Sequence, residues 1–238
     1  MPPRLYSITT TSSPRKLNPM GPIDPEKPAD AFQELSRWGV PAWATAIRKC
    51  IDQSTSDPIS RYAQIATVDS LGKPHLRTLV MRGCLGELSK DHTNDHPMDF
   101  WMATDHRSSK IQELAFEPQV EIGWYFPGPR EQFRLSGTIS ILTQTQCPIR
   151  SKAWQSLSTQ AKVGFYWPTP LEIRDPTNEK AFQVHHGVIH ALNPPDSFSV
   201  LVMRVARVDH LILQGDPQNR YIYDFKPDKG WVETQVNP

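Results

Sequence analysis

The chain has 238 residues, enough to bury roughly 70–75% of the surface its unfolded form exposes, so its core needs neither disulfides nor a structural metal. Lys+Arg 26 against Asp+Glu 25 leaves a net charge of +1, which offers no general field for a nucleic-acid backbone or an anionic membrane. No apolar run approaches the ~18–20 residues of a membrane span, and 23 prolines, about twice the usual ~5%, argue against a long helical bundle.

Residues 1–30 hold seven prolines and little that packs, and the first 23 residues lack any acid. That composition belongs to a transit peptide or to a disordered tail; the tail is preferred because no amphipathic arginine face is visible. Residues 31–238 then form one domain. Pro41–Asp52 reads as a helix, with Trp43, Ile47 and Ile51 on one face. The period then changes to two. Arg61–Asp69 and Pro74–Arg82 read as strands about a hairpin at Asp69–Gly72. Leu85–Pro97 reads as a loop and Met98–Thr104 as a strand.

The spacing Ser109-x-x-Gln112 predicts a capping box, opening a helix that stops before Pro118. Val120–Phe126 and Phe133–Ile141 alternate as strands, and Pro148–Ser158 reads as a helix. Residues 159–195 are interrupted by proline and give no clear period. Ser199–Val208, Arg220–Phe225 and Trp231–Val236 read as the last strands. Hairpins without regular βαβ alternation predict a mainly β, antiparallel barrel with flanking helices.

Cys50, Cys84 and Cys147 are widely spaced and odd in number, the habit of a reducing compartment, so the cytoplasm is the default. His92 with His96 and His186 with His190 are each four apart, but no third ligand stands at a diagnostic spacing; no metal is expected. There is no dinucleotide fingerprint, no P-loop and no nucleophile elbow.

What remains is a run of cations. Arg77, Arg82 and Lys110 accompany the hydroxyls of Thr104 and Ser109, with Lys110 at a helix start. A helix N-terminus and arginine forks suit a phosphomonoester, yet spacing alone favours ordinary charges at strand ends. Arg77 and Arg82 are five apart, so an unbulged strand points them to opposite faces. Gln132 and Arg134 share a face opposite Phe133 and Leu135, addressing a ligand or water.

At these residues the chain resembles a known family. Arg77-Thr78-Leu79-Val80-Met81-Arg82 and Thr104-Asp105-His106-Arg107-Ser108-Ser109-Lys110 are similar to the flavin-binding motifs of the pyridoxamine 5′-phosphate oxidase family. Trp124-Tyr125-Phe126-Pro127, Arg130 to Gly137, Phe165-x-Trp167-Pro168-x-Pro170 and Asn219-Arg220-Tyr221-x-Tyr223 extend the resemblance to nearly all of the chain after the tail. It implies an FMN-binding split β-barrel, a homodimer with flavin at the interface, and a small-molecule substrate oxidised through the flavin. Arg77, Thr78, Arg82, Thr104, Ser109 and Lys110 would surround the FMN phosphate and ribityl chain. Gln132 and Arg134 would approach the flavin, and Arg220 would come from the other subunit. Lys162 is the candidate for a substrate phosphate. Ser109 stands where the family has arginine, which removes one phosphate cation and leaves open whether Arg107, two residues earlier, compensates. The family's arginine-leucine-histidine triplet before Arg220 is missing, so vitamin B6 specificity does not follow. A non-enzymatic FMN-binding storage or sensor protein and a flavin reductase using reduced nicotinamide are the alternatives.

Overall fold

This computed structural model describes residues 39–88, 98–184, 189 and 193–238. The expected tail and the four paired histidines lie outside those residues. Helix α1, Ala42–Gln53, starts behind Pro41, whose fixed φ of −69° suits a helix entrance. It buries Trp43, Ala44, Ile47 and Cys50. Trp43 meets Phe100 and, edge-on at 5.1 Å, Trp231.

Nine strands among the described residues form one antiparallel sheet: β1 (Tyr62–Val68), β2 (Pro74–Val80), β3 (Gly83–Cys84), β4 (Phe100–Asp105), β5 (Gln119–Phe126), β6 (Glu131–Leu142), β7 (Phe198–Ile212), β8 (Asn219–Lys226) and β9 (Gly230–Val236). Their order is β2-β1-β5-β6-β7-β4-β3, with β8 and β9 continuing from β7. The expected hairpin is built by Asp69, whose Oδ1 accepts from the N–H groups of Leu71 (2.8 Å) and Lys73 (2.9 Å).

The strand expected to run to Arg82 ends at Val80. Met81 N–H donates to Arg61 O beside β1, while Arg82 N–H donates to Trp101 O on β4. Two successive residues thus bond to opposite ends of the strand order, and the sheet curls shut there. Gly83, at φ +141°, turns the chain into β3. The region expected to be a loop from Leu85 begins with one helical turn, α2 (Leu85–Leu88). Its remainder, 89–97, lies outside the described residues. The fold is the split barrel expected, with helices at its flanks.

Ile65, Met102, Ile122, Trp124, Phe133 and Leu135 are all within 1% exposure of zero and fill the barrel. A second cluster lies outside β4 and β7, where Trp101, Val200 and Val202 pack on Ala153 and Trp154 of α4 (Pro148–Ser156). Cover on both faces explains the continuous apolar run Val200–Met203. Truncating any of the buried aromatic residues should cost ~3–5 kcal/mol. The helix expected to continue to Ser158 stops at Ser156, because Leu157 is extended at ψ 141° and Ser158 caps a new helix, α5 (Thr159–Val163). Helix α3, Ser109–Phe116, follows β4. Among the described residues no helix is long and apolar enough to cross a membrane.

Candidate functional site

The turn between β4 and α3 organises the first group of expected ligand residues. Asp105 Oδ1 accepts from Arg107 N–H at 2.8 Å, and its carboxylate takes the Arg107 guanidinium at 3.0 and 2.7 Å. Arg107 also donates to Trp167 O at 2.9 Å. Its charge is therefore spent within the fold and does not replace the arginine absent at 109. The expected capping box is not formed. Ser108 is the N-cap and makes no side-chain cap bond; its Oγ donates to Asp105 O at 2.7 Å.

That arrangement leaves Ser108 Oγ to accept from Lys110 Nζ at 2.8 Å, while Thr104 Oγ1 accepts from the same amine at 3.0 Å. Both are hydroxyls, so the ammonium is held without being neutralised. Burial, then the nearby Arg77 charge, pushes the Lys110 pKa down, opposed by Asp105 and Glu113. Thr104 is buried and Ser109 exposed at the helix start.

Arg77 projects toward the same helix. Its Nη2 donates to Glu113 Oε2 at 2.6 Å and its Nη1 to His75 O at 3.0 Å and to Thr67 Oγ1. Thr67 in turn donates to Glu113. Burial alone would raise the Glu113 carboxyl, but its bonds to Thr67 and Arg77 hold it below the ordinary value. Glu113 and Thr67 were not singled out from the sequence. The signal for Glu113 was its position three residues after Lys110 on one helix, which puts both on one face.

Thr78, Gln132, Arg134 and Arg220 form a second group on the outer face of the sheet. The register runs Thr78, Gln64, Gly123, Arg134, Asp209 straight across five strands. The neighbouring row holds Tyr125, Gln132, Leu211 and Arg220. Asp209, also absent from the sequence reading, receives Arg220 Nε at 2.9 Å and Nη2 at 2.7 Å, and bonds Arg134. Burial alone would raise the Asp209 carboxyl; the two arginines hold it low. A Cβ added at Gly123 would meet nothing within 4 Å, so the middle of this face is open to a flat group.

Arg82 stands with neither group. It lines a cavity of about 330 Å³ with Arg61, Glu87, Trp101, Ser156 and Leu157. Burial and then the Arg61 charge lower its pKa, and its Nε is buried with no partner among the described residues. Lys162 Nζ lies 5.2 Å over the Trp154 ring, a cation–π contact. Among the described residues no cluster of three or more His, Cys, Asp or Glu could hold a metal ion.

Apart from Arg82 and Lys162, the expected residues thus fall into donors and cations at a helix start and an outward face of hydrogen-bonding side chains around a bare glycine. Residues 40–143 match the family described as pyridoxamine 5′-phosphate oxidase, FMN-binding domain. The crystal structure of a pyridoxamine 5′-phosphate oxidase-related, FMN-binding protein from Nostoc punctiforme is 33% identical, covering 84% of this chain and 99% of that one, with a TM-score of 0.74. Pyridoxine/pyridoxamine 5′-phosphate oxidase 2 of Arabidopsis thaliana is 28% identical over 84% of this chain and 98% of its own. The fold alone is shared with PhzG from Burkholderia lata, at 17% identity over 82% and 91% of the two chains and a TM-score of 0.64. The chain belongs to the pyridoxamine 5′-phosphate oxidase-related FMN-binding proteins.

Proposed function

We propose that this protein binds FMN and is an FMN-dependent oxidoreductase acting on a small, phosphate-bearing substrate of the vitamin B6 type. The observation that carries the reading is the separation of two cationic sites: Arg77 with Lys110 at the start of α3, and Arg82 with Arg61 in a different cavity. A cofactor phosphate and a substrate phosphate need one each. Bound FMN would supply the redox chemistry, accepting a hydride equivalent from the substrate and passing the electrons on. The chain's own part is binding and orientation. Lys110 and Arg77 hold the cofactor phosphate; Thr78, Gln132 and Arg134 offer polar contacts along the ring; Arg61 and Arg82, which line one cavity, receive the substrate anion.

The outer face that carries Thr78, Gln132 and Arg134 also exposes Tyr62, Leu76 and Tyr125, at 43%, 69% and 43%. A second copy covering that face, in a homodimer, supplies Arg220 and removes this apolar surface from water. Three unpaired cysteines support a reducing, cytoplasmic setting.

The test is anaerobic: the protein is loaded with FMN, pyridoxine 5′-phosphate is added, and flavin absorbance is followed. Bleaching, reversed by air as pyridoxal 5′-phosphate appears, is expected. Bleaching by reduced nicotinamide alone would make it a flavin reductase. An unchanged spectrum with both donors would leave an FMN carrier.

A further inference from the structure

We propose that Glu113 sets how strongly the Arg77–Lys110 site prefers a phosphorylated flavin over an unphosphorylated one, by offsetting the charge that Arg77 brings. The proposal rests on the FMN reading above. Among the described residues, three cations surround the start of α3: Arg77, Arg107 and Lys110. Arg107 is matched by Asp105 in a two-point ion pair. Arg77 is matched by Glu113 at 2.6 Å, and the side chains of that pair are 22% and 8% exposed, so water screens them little. Lys110 is bonded by the hydroxyls of Thr104 and Ser108 and by no carboxylate among the described residues.

A phosphomonoester near neutral pH carries about −1.5 to −2 charges. It therefore meets one uncompensated cation and a helix start, although three cations are present. Charge within a few ångströms acts on a ligand whether or not it touches it, and a buried carboxylate opposes an anion as surely as it anchors Arg77. Glu113 thus has two effects. It fixes Arg77 together with Thr67 and His75 O, and it lowers the field that Arg77 offers. Replacement by glutamine separates them, because an amide oxygen of the same shape still accepts from Arg77 while the negative charge is gone.

The experiment measures FMN and riboflavin binding to the full chain by calorimetry and takes the ratio of the two dissociation constants, which isolates the phosphate contribution. Glu113→Gln is expected to raise the preference for FMN about tenfold (about 1.4 kcal/mol), with riboflavin affinity unchanged and a steeper salt dependence for FMN. A ratio that stays the same or falls overturns the proposal. So does a parallel loss of both affinities, which would mark a purely structural role. Should that variant fail to fold, Ser109→Arg adds a cation at an exposed position without disturbing the Arg77–Glu113 pair. It too should raise the ratio about tenfold, and no change there also overturns a charge-limited site. Failure of the FMN reading looks different: the unaltered protein would show no preference for FMN over riboflavin, and Lys110→Ala would not alter the ratio.

Discussion

Lys110 and His210 are both drawn below their ordinary pKa by burial, and the two make opposite demands on their surroundings. Lys110 sits among hydroxyls that accept its protons without cancelling its charge, which suits an amine meant for an anion. Lys110→Ala should cost about 1.5–3 kcal/mol of FMN affinity if the charged contact exists; calorimetry reads it, and an unchanged dissociation constant removes the phosphate assignment. His210 stacks on Phe133 at 4.1 Å, and its Nε2 lies 2.7 Å from Glu131 Oε2. Burial lowers its pKa, against the pull of Glu131, Asp209 and Glu233. The unfolded chain therefore takes up the proton first as pH falls. The resulting stability loss begins near the ordinary His value of ~6.5 and is complete below the lower folded value, at no more than about 1.4 kcal/mol per pH unit. Denaturant titrations of the native chain and His210→Gln from pH 7.5 to 5 should show that slope only in the native chain. His210 carries no signal of its pairing in the sequence, and Glu113 only its place three residues after Lys110, since each gains its meaning from a partner on another element.

At the scale of elements, alternation made the strands readable, and close packing set where they bend. Gly137 follows the register shift in β6, and a Cβ there would stand 2.0 Å from Arg204 O on β7. Gly137→Ala should destabilise the fold by about 1–3 kcal/mol, measured by urea unfolding, because the obstacle is backbone and cannot rotate aside. β7 is longer than its apolar pattern announces. Its first half is covered on both faces, while the second half, with Asp209 and His210, pairs with β8 and carries polar side chains. The apolar pattern breaks where Asp209 and His210, polar yet buried, follow Val208, so the expected end at Val208 falls four residues short of Ile212. The capping box failed for a related reason: Ser108 and Ser109 are chemically equivalent candidates, and only the path of β4 decides which is the N-cap.

For the whole molecule, the closing of the sheet at Met81–Arg82 decides which cations work together. Arg77 and Arg82 belong to one motif in the chain, yet one bonds Glu113 under α3 and the other lines a cavity with Arg61. Thr78, Gln132, Arg134 and Arg220 lie on the outer face, beside exposed Leu76. Leu76→Asp should convert the proposed homodimer to a monomer in sedimentation velocity and weaken FMN binding. Folding stability of the monomer should change by no more than about 0.5 kcal/mol, since the site is solvent-exposed without the partner. A native chain that sediments as a monomer at micromolar concentration would end the dimer proposal.

Local patterning by itself determined most of the strands, the proline-led helix starts at 41 and 148 and the motif residues, because alternation and proline act over a few neighbouring positions. Similarity along the motifs determined the family. Only the tertiary structure decided that Arg107 pairs with Asp105, that Glu113 pairs with Arg77, and that Arg82 lines a cavity with Arg61. These depend on electrostatic partners brought together across 36 positions of chain, as with Arg77 and Glu113, or 75, as with Arg134 and Asp209. Pairing at such separations follows from how the barrel closes, which no local spacing encodes.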